Sequence, residues 1–168
     1  MAEIDGSFLR VRDELRGMPA FLRDSAARFR GDAILSSPAG TLCFLEQVWH
    51  LADLESEGFA VRIRRILDED SPVLVDFDGA RVARERNYRA LSLEGGLVLF
   101  TSTRLRNLEI LEGLDEVRWA RAATQEGVGR LRLSDLPRRM AEHDASHRDE
   151  IRALLAEPPG SIRPSQVA

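Results

Sequence analysis

Between Phe8 and about Phe29 the apolar residues Phe8, Val11, Leu15, Met18, Leu22 and Ala26 recur at steps of three and four. That period places one face of an α-helix against a core. The spacing predicts a helix, and Pro19, which has no N–H and crowds the preceding turn, predicts a break or bend in it. Gly31 to Gly40 is turn-rich, and Thr41 is a candidate cap for the next helix. A second helical stripe runs to about Leu67 through Phe44 or Leu45, Val48, Leu51 or Ala52, Leu54 or Glu55, Phe59, Ile63 and Ile66. Asp68 to Gly79 reads as a loop that ends in Asp76-Phe77-Asp78-Gly79.

A third helical pattern extends from about Ala80 to Leu111, with Tyr88, Leu91, Leu97, Phe100, Leu108 and Leu111 as candidate core residues. Gly95-Gly96 inside it costs about 1 kcal/mol per glycine relative to alanine, so it marks a break or a close helix approach. After Gly113 the pattern turns irregular through Trp119, Thr124, Gly127 and Gly129, and Arg130 to Leu133 alternates as a short extended piece does. Ser134 is a candidate N-cap, Asp135 suits a first turn, and Pro137 belongs where a missing N–H does no harm. The last helix is expected from Asp135 to about Glu157, stopped by Pro158-Pro159-Gly160, with Ser161 to Ala168 as a tail that buries nothing. Four long helices joined by moderate connections predict an all-α four-helix bundle, and 168 residues suit one domain.

Composition narrows the function classes. The formal charge of -4 sets the field of the molecule against phosphate backbones, so nucleic acid is not an expected partner. No apolar run approaches the roughly 20 residues of a membrane span, and the charged N-terminus lacks a secretory h-region, so a cytoplasmic protein is expected. Cys43 is the one cysteine, which excludes an internal disulfide. All 24 basic residues are arginine, so no Schiff-base or P-loop lysine is available.

Candidate chemistry concentrates on the three histidines. On the last helix Leu136, Met140, His143, His147, Ile151 and Leu154 share one stripe, so both histidines face where the apolar residues face. Residues four apart have Cβ atoms about 5–6 Å apart, close enough for two imidazoles to share an ion. His50 is the remaining histidine that a facing helix can add, completing a set that leaves positions open for water or substrate. The same spacing also fits two histidines that fill an inward stripe through hydrogen bonds, with His50 unrelated. Glu46 and Asp53, one turn either side of His50, are candidates to orient it or to act as a general base. Cys43, two turns away at about 10 Å, reads as packing. Glu142 and Asp144 flank His143 off its face and read as solvated or salt-bridged.

Phe44 to Glu55 (FLEQVWHLADLE) resembles the second-helix signature of the DinB-like superfamily, the YfiT-like or mycothiol- and bacillithiol-transferase-like bundles. Glu142 to His147 (EHDASH) resembles its last-helix signature, a histidine-aspartate pair with a second histidine four residues after the first. Gly129 to Leu136 is similar to the lead-in to that helix, and the likeness extends from Phe8 to about Leu155. The resemblance implies an up-down-down-up bundle that holds one divalent ion, zinc or nickel, through His50, His143 and His147, often as a homodimer. It implies a small-molecule substrate and a thiol S-transferase that uses mycothiol, bacillithiol or glutathione. Metal-dependent hydrolysis through a bound water, and a non-catalytic metal or small-ligand stress protein, are the alternatives. Arg84, Arg86 and Arg104 are the candidates for holding an anionic thiol, and Trp49, Tyr88 and Trp119 for lining a pocket.

Overall fold

The computed structural model describes residues 6–156. Helix α1 spans Gly6–Arg28 and is followed by a 3-10 turn, Gly31–Leu35. Helix α2, Phe44–Asp53, passes through a π-helical turn, Leu54–Phe59, directly into α3, Ala60–Asp68. A short strand β1, Val73–Leu74, leads to α4, Gly79–Arg86, and a 3-10 turn, Tyr88–Ala90. Helix α5, Leu93–Glu112, and the single turn α6, Glu116–Trp119, precede the hairpin β2, Ala122–Gln125, and β3, Gly129–Arg132. A 3-10 turn, Leu133–Asp135, opens into α7, Leu136–Ala156. No helix among the described residues is long and apolar enough to cross a membrane.

Side-chain partners give the direction of each long helix. Along α1, Phe8 packs on Trp119 just beyond α5, Leu15 meets Arg104 and Arg23 meets Glu94, so α1 and α5 are antiparallel. Trp49 approaches Gly95 and Gly96 while Glu55 meets Arg104 and Asn107, so α2 runs parallel to α5. Arg148 donates to the Glu14 carbonyl and Arg152 lies over the Phe21 ring, so α7 runs parallel to α1. The result is an up-down-down-up four-helix bundle. β1 pairs in parallel with β2, and β2 antiparallel with β3, in a three-stranded sheet at one end. Leu74, Ala123 and Leu131 of that sheet join the core.

Several local expectations are corrected. Helix α1 continues through Pro19. The carbonyl that proline deprives of a donor is that of Leu15, four residues back, and it accepts instead from Arg104 Nη1 at 3.1 Å. The third helical pattern is two helices, and the break falls at Asn87, in the left-handed region at φ 47°, rather than at Gly95-Gly96. Those glycines open α5, and a Cβ on Gly96 would lie 2.9 Å from Val48 Cγ1 and 3.2 Å from the Trp49 ring. They mark a close helix approach. Thr41 and Ser134 are not the caps: the Cys43 N–H bonds to Glu46 Oε2 at 2.9 Å, and the Arg132 N–H to Asp135 Oδ2 at 3.0 Å. The stop at Pro158-Pro159-Gly160 and the tail lie outside the described residues.

The π-turn buries both Leu54 and Glu55. Its extra residue lets the Ala60 N–H reach the Glu55 carbonyl, and the Glu55 side chain enters the bundle beside Arg104, Asn107 and Asp144. This polar layer separates two apolar clusters, one around Leu15, Ile66, Leu108 and Met140, the other around Leu22, Val48, Phe100 and Ile151. Arg104 is 1% exposed. It donates to Asp144 from both terminal nitrogens, at 2.6 and 3.1 Å, and to Glu55 at 2.9 Å, and it lies over the Phe100 ring. Burial works against its charge, but the two carboxylates raise its pKa above the usual arginine range. One side chain thus joins all four long helices at the level of the histidines.

Candidate metal centre

His50 projects from the last turns of α2, and His143 and His147 from the middle of α7, which runs antiparallel to it. Apolar positions on both helices fix the inward faces: Val48, Leu51 and Ala52 on one, Met140, Ala141 and Ile151 on the other. The three imidazoles converge. One nitrogen from each lies within 4.8 Å of the others, and no carboxylate or thiol joins that group among the described residues. The Nε2 atoms of His50 and His143 are 3.4 Å apart. Two nitrogens each about 2.0–2.1 Å from a tetrahedral ion stand about 3.4 Å apart, so this pair has the separation a zinc-type site needs.

The surroundings suit the rings to metal ligation. His147 Nδ1 is 3.1 Å from Gln47 Oε1 and 3.2 Å from Glu150 Oε2, which fixes its hydrogen on Nδ1 and leaves Nε2 for an ion. Burial, with His147 as a neighbouring like charge, pushes His50 down to about 4. Burial and the positive charges of His147, His50 and Arg104 push His143 down to about 3, and burial alone pushes His147 to about 4. All three are neutral at pH 7, the form that binds metal. Gly79, at the start of α4, makes room for the His50 ring: a Cβ there would meet Cε1 at 2.7 Å and Nδ1 at 3.1 Å. Phe77 packs on the same ring, with centroids 6.5 Å apart.

A sequence profile described as the DinB superfamily matches residues 7–151. The chain belongs to the DinB superfamily. Among solved structures this DinB-superfamily chain is similar to a Bacillus subtilis protein described as "YfiT from Bacillus subtilis is a probable metal-dependent hydrolase with an unusual four-helix bundle topology". The two align with a TM-score of 0.77 and 21% identity over 88% of this chain and 83% of that one, a likeness of fold. No curated protein sequence matches the chain.

The remaining candidates of this DinB-superfamily chain are engaged away from the histidines or exposed. Glu46 accepts from Arg89 and from the Cys43 N–H; burial pushes its carboxyl up, and these donors more than offset it, so it stays below the usual range. Asp53 is fully buried, accepting from Arg86 and from the Tyr88 hydroxyl at 2.7 Å, and burial pushes it up against both. Neither carboxylate is in the histidine group. Arg86 bridges Asp53 and Glu57, Arg104 is enclosed in the polar layer, and Arg84 is exposed on α4. Arg104, expected to face a ligand, is therefore corrected to an internal brace: burial and two carboxylates commit it. Glu142 is exposed and paired with Arg138, whereas Asp144 is buried and paired with Arg104. Trp49 is half-buried and donates to Ser92 O, and Trp119 is buried against Phe8. Burial pushes the Cys43 thiol up to about 11, which leaves it protonated at neutral pH. Sequence reasoning missed Gln47, Gly79 and Glu150; Gln47 and Glu150, three residues from His50 and His147, had only helical spacing to reveal them.

Proposed function

We propose that this chain is a metal-dependent enzyme acting on a small molecule, with one zinc or nickel ion held by His50, His143 and His147. The observation that carries this reading is the convergence of three neutral imidazoles, His147 buried and His50 and His143 half-buried, with no carboxylate among them in the described residues. His50, His143 and His147 would hold a divalent ion without neutralising its charge, and it would supply the Lewis acidity that lowers the pKa of a thiol or water. Gln47 orients His147, Gly79 and Phe77 seat His50, and the Arg104 layer holds the two ligand-bearing helices in register.

Transfer of a low-molecular-weight thiol to a small electrophile is the favoured reaction. Both acidic candidates, Glu46 and Asp53, are committed to arginines and so are poor bases, and a thiol needs less help than water to lose its proton. Hydrolysis is the second reading, supported by the description given to YfiT. The test is steady-state turnover of the zinc- and nickel-loaded protein with mycothiol, bacillithiol and glutathione against a chlorodinitrobenzene electrophile, beside a panel of esters and amides. Thiol-dependent turnover lost in His50→Ala supports transfer. Ester or amide cleavage without thiol turnover would replace it with hydrolysis.

A further inference from the structure

Beside the histidines, the turn-rich segment before α2 and the last turns of α7 enclose a surface cavity of about 410 Å³. Leu42, Ala153 and Leu154 give it apolar walls, and Gln47, His147 and Glu150 form its polar end. Among the described residues no arginine lines it.

The polar groups differ in what they have left to offer. The Thr41 hydroxyl at the rim donates to Pro38 O at 2.8 Å. The Gln47 amide is committed at both ends: Nε2 donates to Leu42 O at 3.3 Å, and Oε1 takes the hydrogen of His147 Nδ1. Glu150 Oε2 also lies 3.2 Å from that Nδ1. An imidazole nitrogen carries at most one hydrogen, so two acceptors share one donor there. The Glu150 side chain is half exposed, at 50%, and beyond the His147 contact its carboxylate has several acceptor positions without a donor among the described residues.

We infer that this cavity binds a small amphiphilic cation, its apolar body against Leu42 and Leu154 and its ammonium group on Glu150. An apolar wall ending in a half-exposed carboxylate, with no arginine among its described lining residues, selects against an anion and gives a neutral ligand no charge partner. The site does not require an ion on the histidines. It shares His147 with them, so its occupant rests against the flank of that imidazole, on the Nδ1 side.

The test is a chemical-shift titration of the full-length protein, metal-free and zinc-loaded, with n-hexylammonium, n-hexanol and hexanoate as probes. The expected shifts fall on residues 38–42 and 150–154. Hexylammonium binds roughly two- to five-fold tighter than hexanol, as suits a partly exposed ion pair, with hexanoate weakest. Added salt shrinks that preference. Glu150→Gln removes the ammonium advantage and leaves hexanol binding in place, while Ala153→Trp, at an exposed position, blocks all three probes. Equal affinity for the three, a preference for hexanoate, shifts centred elsewhere, or an ammonium preference that survives Glu150→Gln would each overturn the inference.

Discussion

Arg104 on α5 donates to the carbonyl of Leu15 on α1, the group that Pro19 leaves without its helical partner. The same guanidinium closes ion pairs with Glu55 and Asp144, so one residue satisfies a proline defect and two buried carboxylates at once. The polar layer ties the π-turn beyond His50 to the helix that carries His143 and His147.

Removing Arg104 is therefore expected to be severe. Arg104→Met leaves two buried carboxylates without their cation and the Leu15 carbonyl without its donor, a loss of about 3–5 kcal/mol. Guanidinium denaturation reads it as a lower midpoint with a similar slope. A loss under about 1 kcal/mol would mean that the layer is not holding the bundle.

Gly79 and Gly96 make opposite predictions for similar crowding. A methyl on Gly79 displaces the His50 ring, so Gly79→Ala should weaken zinc binding on the order of ten-fold while stability changes little. A methyl on Gly96 meets Val48 and Trp49, so Gly96→Ala should cost roughly 1–3 kcal/mol in overpacking, partly offset by helix propensity, with zinc affinity per folded molecule unchanged. Competition with a chromophoric chelator, beside thermal unfolding, separates the two. Equal zinc affinity in both variants would contradict the role given to Gly79.

Gln47 is the acceptor that fixes His147. Gln47→Leu removes it from a buried position, leaving only the half-exposed Glu150, and zinc affinity should fall about 10- to 100-fold with the three ligands intact. Calorimetric zinc titration measures it, and an unchanged affinity would show that Gln47 only packs.

The depressed histidine pKa values give the metal-free protein a defined acid sensitivity. Each imidazole is near 6.5 when unfolded and about 3 to 4 when folded, so between these limits the unfolded chain binds more protons. Stability is then fully present above about pH 6.5 and falls as the pH drops through that window. His143→Gln, which has no titrating ring, should show a shallower fall between pH 6.5 and 4, measured by chemical denaturation across pH. Parallel curves for variant and wild type would contradict the burial assigned to His143.

Much of this architecture is legible in the sequence because helical periodicity and histidine spacing are local signals. The stripe from Leu136 to Leu154 places His143 and His147 inward, and the stripe through Val48 and Leu51 places His50 opposite them. What escapes the sequence is relational. Nothing near Pro19 shows that an arginine 85 positions away in the chain will take over its partner's carbonyl. Among 24 arginines, Arg104 carries no mark that it is buried, since that depends on Glu55 and Asp144 arriving from two other helices. The break at Asn87 is likewise hidden, because apolar spacing continues across it while the backbone takes a left-handed turn.

In the proposed centre three histidines from two helices hold one ion. Elemental mass spectrometry of the untagged protein, beside His50→Ala and His147→Ala, tests it most directly. About one equivalent of zinc or nickel per chain, lost in both variants while helical content is kept, is the predicted result. No bound metal after reconstitution, or metal retained in either variant, would contradict it and leave the histidines as packing.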